Sequence, residues 1–146
     1  MVRRTRLIGN HAGRGNRGGT SPAGGSGGSS LGGGLFVNTL ASLTCVQDAI
    51  SGNLLDGPWD LAVNDRGNAA GGGAYVQTGG TLILNDTSVI HNAALPNTIG
   101  TGPVGNSAGG GVFVASGGTL VLEGSTTVQQ NFARNYPNLF PPGGKP

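Results

Sequence analysis

The stretch Gly71–Asn92, GGGAYVQTGGTLILNDTSVIHN, is the middle one of three copies in the chain. Gly109–Asn131, GGGVFVASGGTLVLEGSTTVQQN, matches it almost position for position with one residue added. Gly32–Asn53, GGGLFVNTLASLTCVQDAISGN, is a more divergent copy. The Gly-Gly-Gly openings at 32, 71 and 109 set a period of 39 and then 38 residues. A repeat of this length points to an array in which each unit stacks on the next.

Each copy reads as three short strands separated by tight corners. Ala74 and Val76 share one side of the first strand and Tyr75 takes the other; Leu35, Val37 and Phe36, then Val112, Val114 and Phe113, repeat the pattern. That is period 2, the signature of a strand, and not 3.6. A glycine pair (Gly79-Gly80, Gly117-Gly118) breaks the strand where positive φ is needed; in the first copy Leu40-Ala41 stands there. The second strand puts Leu82 and Leu84 on one face, matched by Leu120 and Leu122 and by Leu43 and Cys45. A third strand centres on Val89, Val128 and Ile50 and closes on Asn92, Asn131 and Asn53. With one copy to a turn, equivalent residues of adjacent turns lie about 4.8 Å apart. The aliphatics then form an interior column and Asn53, Asn92 and Asn131 a corner ladder of amides. The openings Gly71, Gly72, Gly73 and Gly109, Gly110, Gly111 are expected to be tight backbone corners, as are the pairs Gly79, Gly80 and Gly117, Gly118.

Asn-x-Ala-Gly-Gly-Gly, Gly-Gly-Thr-Leu-x-Leu and Val-x-x-Asn, carried by Asn68–Gly73 with Asn92 and by Asn106–Gly111 with Asn131, resemble the repeats of secreted bacterial surface proteins. The resemblance is to autotransporter passengers and polymorphic outer-membrane proteins. It covers roughly residues 28–135. It implies an all-β, right-handed parallel β-helix (a solenoid), placed extracellularly or at the cell surface in a stalk or adhesin-like role.

The flanks differ from the repeats. Of 146 residues 31 are glycine, and only 10% are charged. Five of the eight basic side chains (Arg3, Arg4, Arg6, Arg14, Arg17) fall in the first 17 positions with no acid among them, leaving the remainder net acidic. Residues 1–31 are expected to be a disordered Gly/Arg-rich tail, with too little apolar surface to offset the entropy of ordering. Without interleaved aromatics its arginines offer no stacking platform, so nucleic acid is not an expected partner. MVRRTRL has no apolar run behind it and is not a secretory signal as it stands. The folded region is expected over 32–135, with copies 32–53, 71–92 and 109–131 joined by loops 54–70 and 93–108. Those loops are where a host surface or carbohydrate would bind. Trp59 is expected to fold back over the coil edge, and Leu61-Ala62-Val63 offers an extra strand, leaving open whether each repeat makes one turn or two. Residues 136–146 are a Pro-rich tail whose prolines bar it from continuing the ladder.

Chemistry-bearing motifs are sparse. Asp86 and Glu123 fall at nearly the same corner of adjacent copies and form the one pair to weigh as general acid and base, the signature of a carbohydrate-active β-helix enzyme or its remnant. No Lys or Arg lies within the second or third copy to hold an anionic substrate, and the expectation is a non-catalytic protein. Neither glycine-rich opening carries the acid of a calcium-binding repeat or the lysine of a phosphate loop, so no metal or cofactor is expected. Cys45, the single cysteine, aligns with Leu84 and Leu122 as an interior filler. No apolar run is long enough to span a membrane as a helix. About three turns stand only some 15 Å tall, at the lower limit for a stable array. Open sheet edges at either end predict end-to-end self-association, or a fragment of a longer passenger.

Overall fold

The computed structural model describes residues 1–12, 29–57, 68–96 and 105–141. Among them the protein is all-β with no helix, and every strand pairs in parallel. Strands are laid down in layers. The first layer holds β1 (Val2–Arg3), β2 (Arg6–Ile8) and β3 (His11–Ala12). The next holds β4 (Ser30–Leu31), β5 (Leu35–Val37), β6 (Ser42–Val46), β7 (Ala49–Ser51) and β8 (Leu54–Asp56). The third holds β9 (Ala69–Ala70), β10 (Ala74–Val76), β11 (Thr81–Asn85), β12 (Ser88–Ile90) and β13 (Ala93–Leu95). The fourth holds β14 (Ser107–Ala108), β15 (Val112–Val114), β16 (Thr119–Glu123) and β17 (Thr127–Gln129), after which β18 (Leu139–Phe140) returns over β15.

Like strands pair, giving five sheets: sheet I is β4-β9-β14, sheet II β5-β10-β15-β18, sheet III β1-β6-β11-β16, sheet IV β2-β7-β12-β17 and sheet V β3-β8-β13. Register follows the sequence repeat. Ala74 faces Leu35 and Val112, Leu84 faces Cys45 and Leu122, and Val89 faces Ile50 and Val128.

Three expectations about the chain path are corrected. Residues 1–12 are not a disordered tail: β1, β2 and β3 lie in register on β6, β7 and β8. The reason is a hidden alternation, since Val2 and Leu7 turn toward the interior column while Arg3 and Arg6 point to solvent. Each copy has five strands and not three, because the ends of the presumed loops 54–70 and 93–108 pair as β8 with β13 and β9 with β14. The Pro-rich segment does extend a ladder, for Leu139–Phe140 pairs with Val112–Phe113 ahead of its final prolines. Trp59, Leu61–Val63 and the arginines at 14 and 17 lie outside the described residues.

The interior is divided in two. One core packs Val37, Cys45, Ile50, Val76, Leu82, Leu84, Val89 and Val112 among sheets II, III and IV. A smaller one holds Leu55, Ala69, Ala94 and Ala133 between sheets I and V. What divides them is a waist where the glycine openings meet the asparagine corner.

A fourth correction concerns those glycines, which are not all corners. In each opening only the first takes positive φ, at +70, +78 and +60 for Gly32, Gly71 and Gly109. Gly72 and Gly110 are bare because two backbones touch there: a Cβ on either would lie 2.5 Å from the backbone carbon of Ala93 or Phe132 respectively. Gly73 and Gly111 face the asparagine column, where a Cβ would meet Asn92 Nδ2 at 2.9 Å and Asn131 Nδ2 at 2.7 Å. The later pairs divide the same way. Gly79 and Gly117 turn the chain at φ +74 and +79, as expected of corners, whereas a Cβ on Gly80 or Gly118 would crowd the Gln77 carbonyl oxygen at 3.0 Å.

Candidate recognition seam

The asparagine column is fully bonded. Asn92 Oδ1 accepts from Asn53 N (3.0 Å) and Asn53 Nδ2 (2.8 Å), while Asn92 Nδ2 donates to Ile50 O (2.8 Å) and Asn131 Oδ1 (3.0 Å). Asn53 and Asn131 repeat this pattern one layer to either side. Both amide hydrogens and both lone pairs are thus used, which removes the penalty of burying them. Asn10 begins the ladder and Asn138 ends it, accepting from Asn131 N at 3.1 Å. Sequence reasoning misses both. Gly9-Asn10 does echo Gly52-Asn53, a usable signal. Asn138 carries none, since it stands seven residues from its partner.

A second polar column runs through Thr5, Asp48, Thr87 and Thr126. Asp48 is 5% exposed; its carboxylate accepts from Thr5 N (2.6 Å) and Val46 N (3.0 Å). The backbone N–H groups of Asp48 and Thr87 donate onward to the Thr87 and Thr126 hydroxyls. Beside it burial, reinforced by the Asp48 charge, pushes the Cys45 thiol up to about 11. The buried thiol is therefore protonated and unreactive at neutral pH. Asp48 gives no signal in the sequence, because a single acid in the divergent copy has no counterpart in the others.

The acids weighed for catalysis occupy solvent. Asp86 and Glu123 are both exposed, and each carboxylate is engaged separately: Asp86 Oδ1 accepts from Ser125 N (2.8 Å) and Glu123 Oε2 from Asn85 Nδ2 (2.9 Å). Asp56 pairs with His11 at 3.0 Å. Among the described residues no group of three or more His, Cys, Asp or Glu side chains is placed to hold a metal ion. Among them, too, no helix is long and apolar enough to cross a membrane, which leaves spanning by strands unaddressed.

One corner stands apart. Segments 13–28, 58–67 and 97–104 all depart after a sheet V strand and return just before a sheet I strand. After the fourth layer the chain passes from the Phe132–Ala93 bridge to the Asn135–Ala108 bridge through Ala133 and Arg134, a step that takes residues 94–107 one layer earlier and 55–69 before that. Beside the return points runs a groove of about 300 Å³, walled by Tyr75 and Phe113, floored by Ala69, Ala70 and Ala108, and edged by Ser29, Leu31, Asn68 and Asn106. Among the described residues no charged side chain lines it. Its aromatic wall is part of a stack, Phe36–Tyr75–Phe113–Phe140, with centroids 5.4, 5.2 and 4.7 Å apart and planes within 15°. Because those rings cover one another's faces, the groove meets ring edges and amides. Compared with known protein families, curated proteins and solved structures, the chain matches none.

Proposed function

We propose that the chain is a right-handed parallel β-helix stalk, exported and displayed at a cell surface like the passenger repeats it resembles, and part of a longer such passenger. In this reading it catalyses no reaction and presents the seam between sheets V and I to a host surface or carbohydrate. The observation that carries the reading is the redundancy of the seam segments. A step that takes two residues between Phe132 and Asn135 takes residues 55–69 and 94–107 in earlier layers, and segments 58–67 and 97–104 lie within those longer steps. Chain beyond what a path requires is chain available for recognition.

The test replaces 58–67 and 97–104 by short Gly-Ser linkers. Strand content and thermal midpoint should be kept, while binding to a glycan array or to host cells disappears. A purified native chain that cleaves polysaccharide, with cleavage lost in Asp86→Ala or Glu123→Ala, would establish the enzymatic reading in its place.

A further inference from the structure

Val2-Arg3-Arg4-Thr5-Arg6-Leu7 places two adjacent arginines, a gap and a third between apolar neighbours. A short basic run of this kind is a patch for heparin-like glycans or nucleic acid. In a disordered tail the ligand would have to order it. Here it is built into the first layer, with β1 on β6 and β2 on β7. We infer that Arg3, Arg4 and Arg6 form a binding site for a sulfated polysaccharide, on a surface separate from the seam between sheets V and I.

The corner that carries them is fixed. Arg3 ends β1 in sheet III and Arg6 opens β2 in sheet IV, so the two lie on different sheets with Arg4 at the bend. Arg4 holds φ 50 there, its N–H donates to Val46 O (3.0 Å) and its Nε to Gln47 Oε1 (3.2 Å). Thr5 closes the bend, its hydroxyl donating to Arg3 O (3.2 Å) and its N–H to the Asp48 carboxylate. All three arginines are exposed, and among the described residues none is in an ion pair. Three guanidinium groups thus stand within about 10 Å of backbone path, on a preorganised frame. The described acids leave the corner open. Asp48 is buried beneath it, Asp56 pairs with His11, and Asp86 and Glu123 stand two and three layers away. Those separations, about 10 and 14 Å, lie beyond the screening length of about 8 Å at physiological salt.

The shape of the corner selects among polyanions. A membrane is flat and would meet sheet III or sheet IV, not both sides of the bend. Single-stranded nucleic acid is held by bases stacked on aromatic rings among the cations, and residues 1–12 contain no Phe, Tyr or Trp. A sulfated glycan needs neither a flat face nor a ring. Its anionic groups recur along a linear chain that can follow the bend, and each can accept paired N–H bonds from an arginine fork.

The test titrates the full chain with a labelled heparin oligosaccharide, with dextran, polyuridylate and phosphatidylserine vesicles as comparisons. Heparin should bind most tightly, with a salt dependence that reports about three ion contacts. Arg3→Ser, Arg4→Ser and Arg6→Ser together should weaken it by about tenfold or more with the thermal midpoint kept, and lysine at all three should recover part of the loss. Arg14→Ser with Arg17→Ser, or Gly-Ser linkers in the seam, should leave heparin binding unchanged. No heparin binding, tighter binding of RNA or vesicles, a lysine variant no better than the serine one, or loss that follows Arg14 and Arg17 instead would each overturn the proposal.

Discussion

Single residues mark the corners through positive φ, and these align from layer to layer. Gly9, Gly52, His91 and Gln130 form one column, Arg4, Gln47, Asp86 and Gly124 a second, and Leu40, Gly79 and Gly117 a third. Leu40 is the outlier, a leucine at φ 61 and 89% exposed where its neighbours are glycine. A left-handed backbone costs an L-residue about 1–2 kcal/mol, partly offset by the entropy a glycine would lose. Leu40→Gly should therefore stabilise the protein by about 0.5–1 kcal/mol, measured by urea denaturation. Cys45 gives a pH prediction. Its thiol is raised in the folded state, so between pH 9.0 and about 11 the unfolded chain loses the proton that the folded chain keeps. Its contribution is fully present below that window and lost as pH rises through it. The effect is on the order of 2 kcal/mol. Cys45→Ala should remove that part of the alkaline slope in urea midpoints taken at about pH 8 and about pH 11. The sequence made legible the corners at Gly71, Gly79, Gly109 and Gly117, but not those at Gly9, Gly52 and Gly124. It hid those filled by Arg4, Gln47 or His91, whose backbone angle no side chain announces.

At the scale of the element, legibility depends on length and on company. Five-residue strands such as β11 and β16 show their alternation plainly. Two-residue strands such as β9 and β14 are too short to show a period, and in the sequence they read as loop. The N-terminal layer hides for another reason. Its outward arginines dominate the composition, while Val2, Thr5, Leu7 and Asn10 keep the interior pattern of later layers. A tail could be removed without effect; this layer could not. Deleting residues 1–12 uncovers β6, β7 and the Asp48 carboxylate that Thr5 N serves. The thermal midpoint should fall by about 10 °C or more, and amide protection should be lost first in 45–51.

Across the whole molecule, the period is readable because in-register stacking puts like on like, so a repeat in the sequence becomes a column in space. The groove is not readable. Its wall comes from sheet II and its floor from sheet I, and nothing local in Tyr75 or Ala108 says they share a surface. The waist is equally silent, because the contacts of Gly72 with Ala93 and of Gly110 with Phe132 are made across the interior by backbone atoms alone. A glycine bare for close approach and a glycine bare for a corner are the same letter.

That waist has a consequence for how such a chain can change over time. With two backbones pressed together at Gly72 and again at Gly110, the route from sheet II around to sheet V tolerates almost no insertion. The one added residue there sits at Gly124-Ser125. The crossing from V to I, by contrast, varies from residues 133–134 alone to 94–107, 55–69 and 12–30 in the other layers. A gene built this way has two separate freedoms: it can grow or shrink by whole storeys through in-frame duplication, and it can rewrite a single seam at will. Height and surface would then be inherited independently, one counted in integers and the other drifting letter by letter.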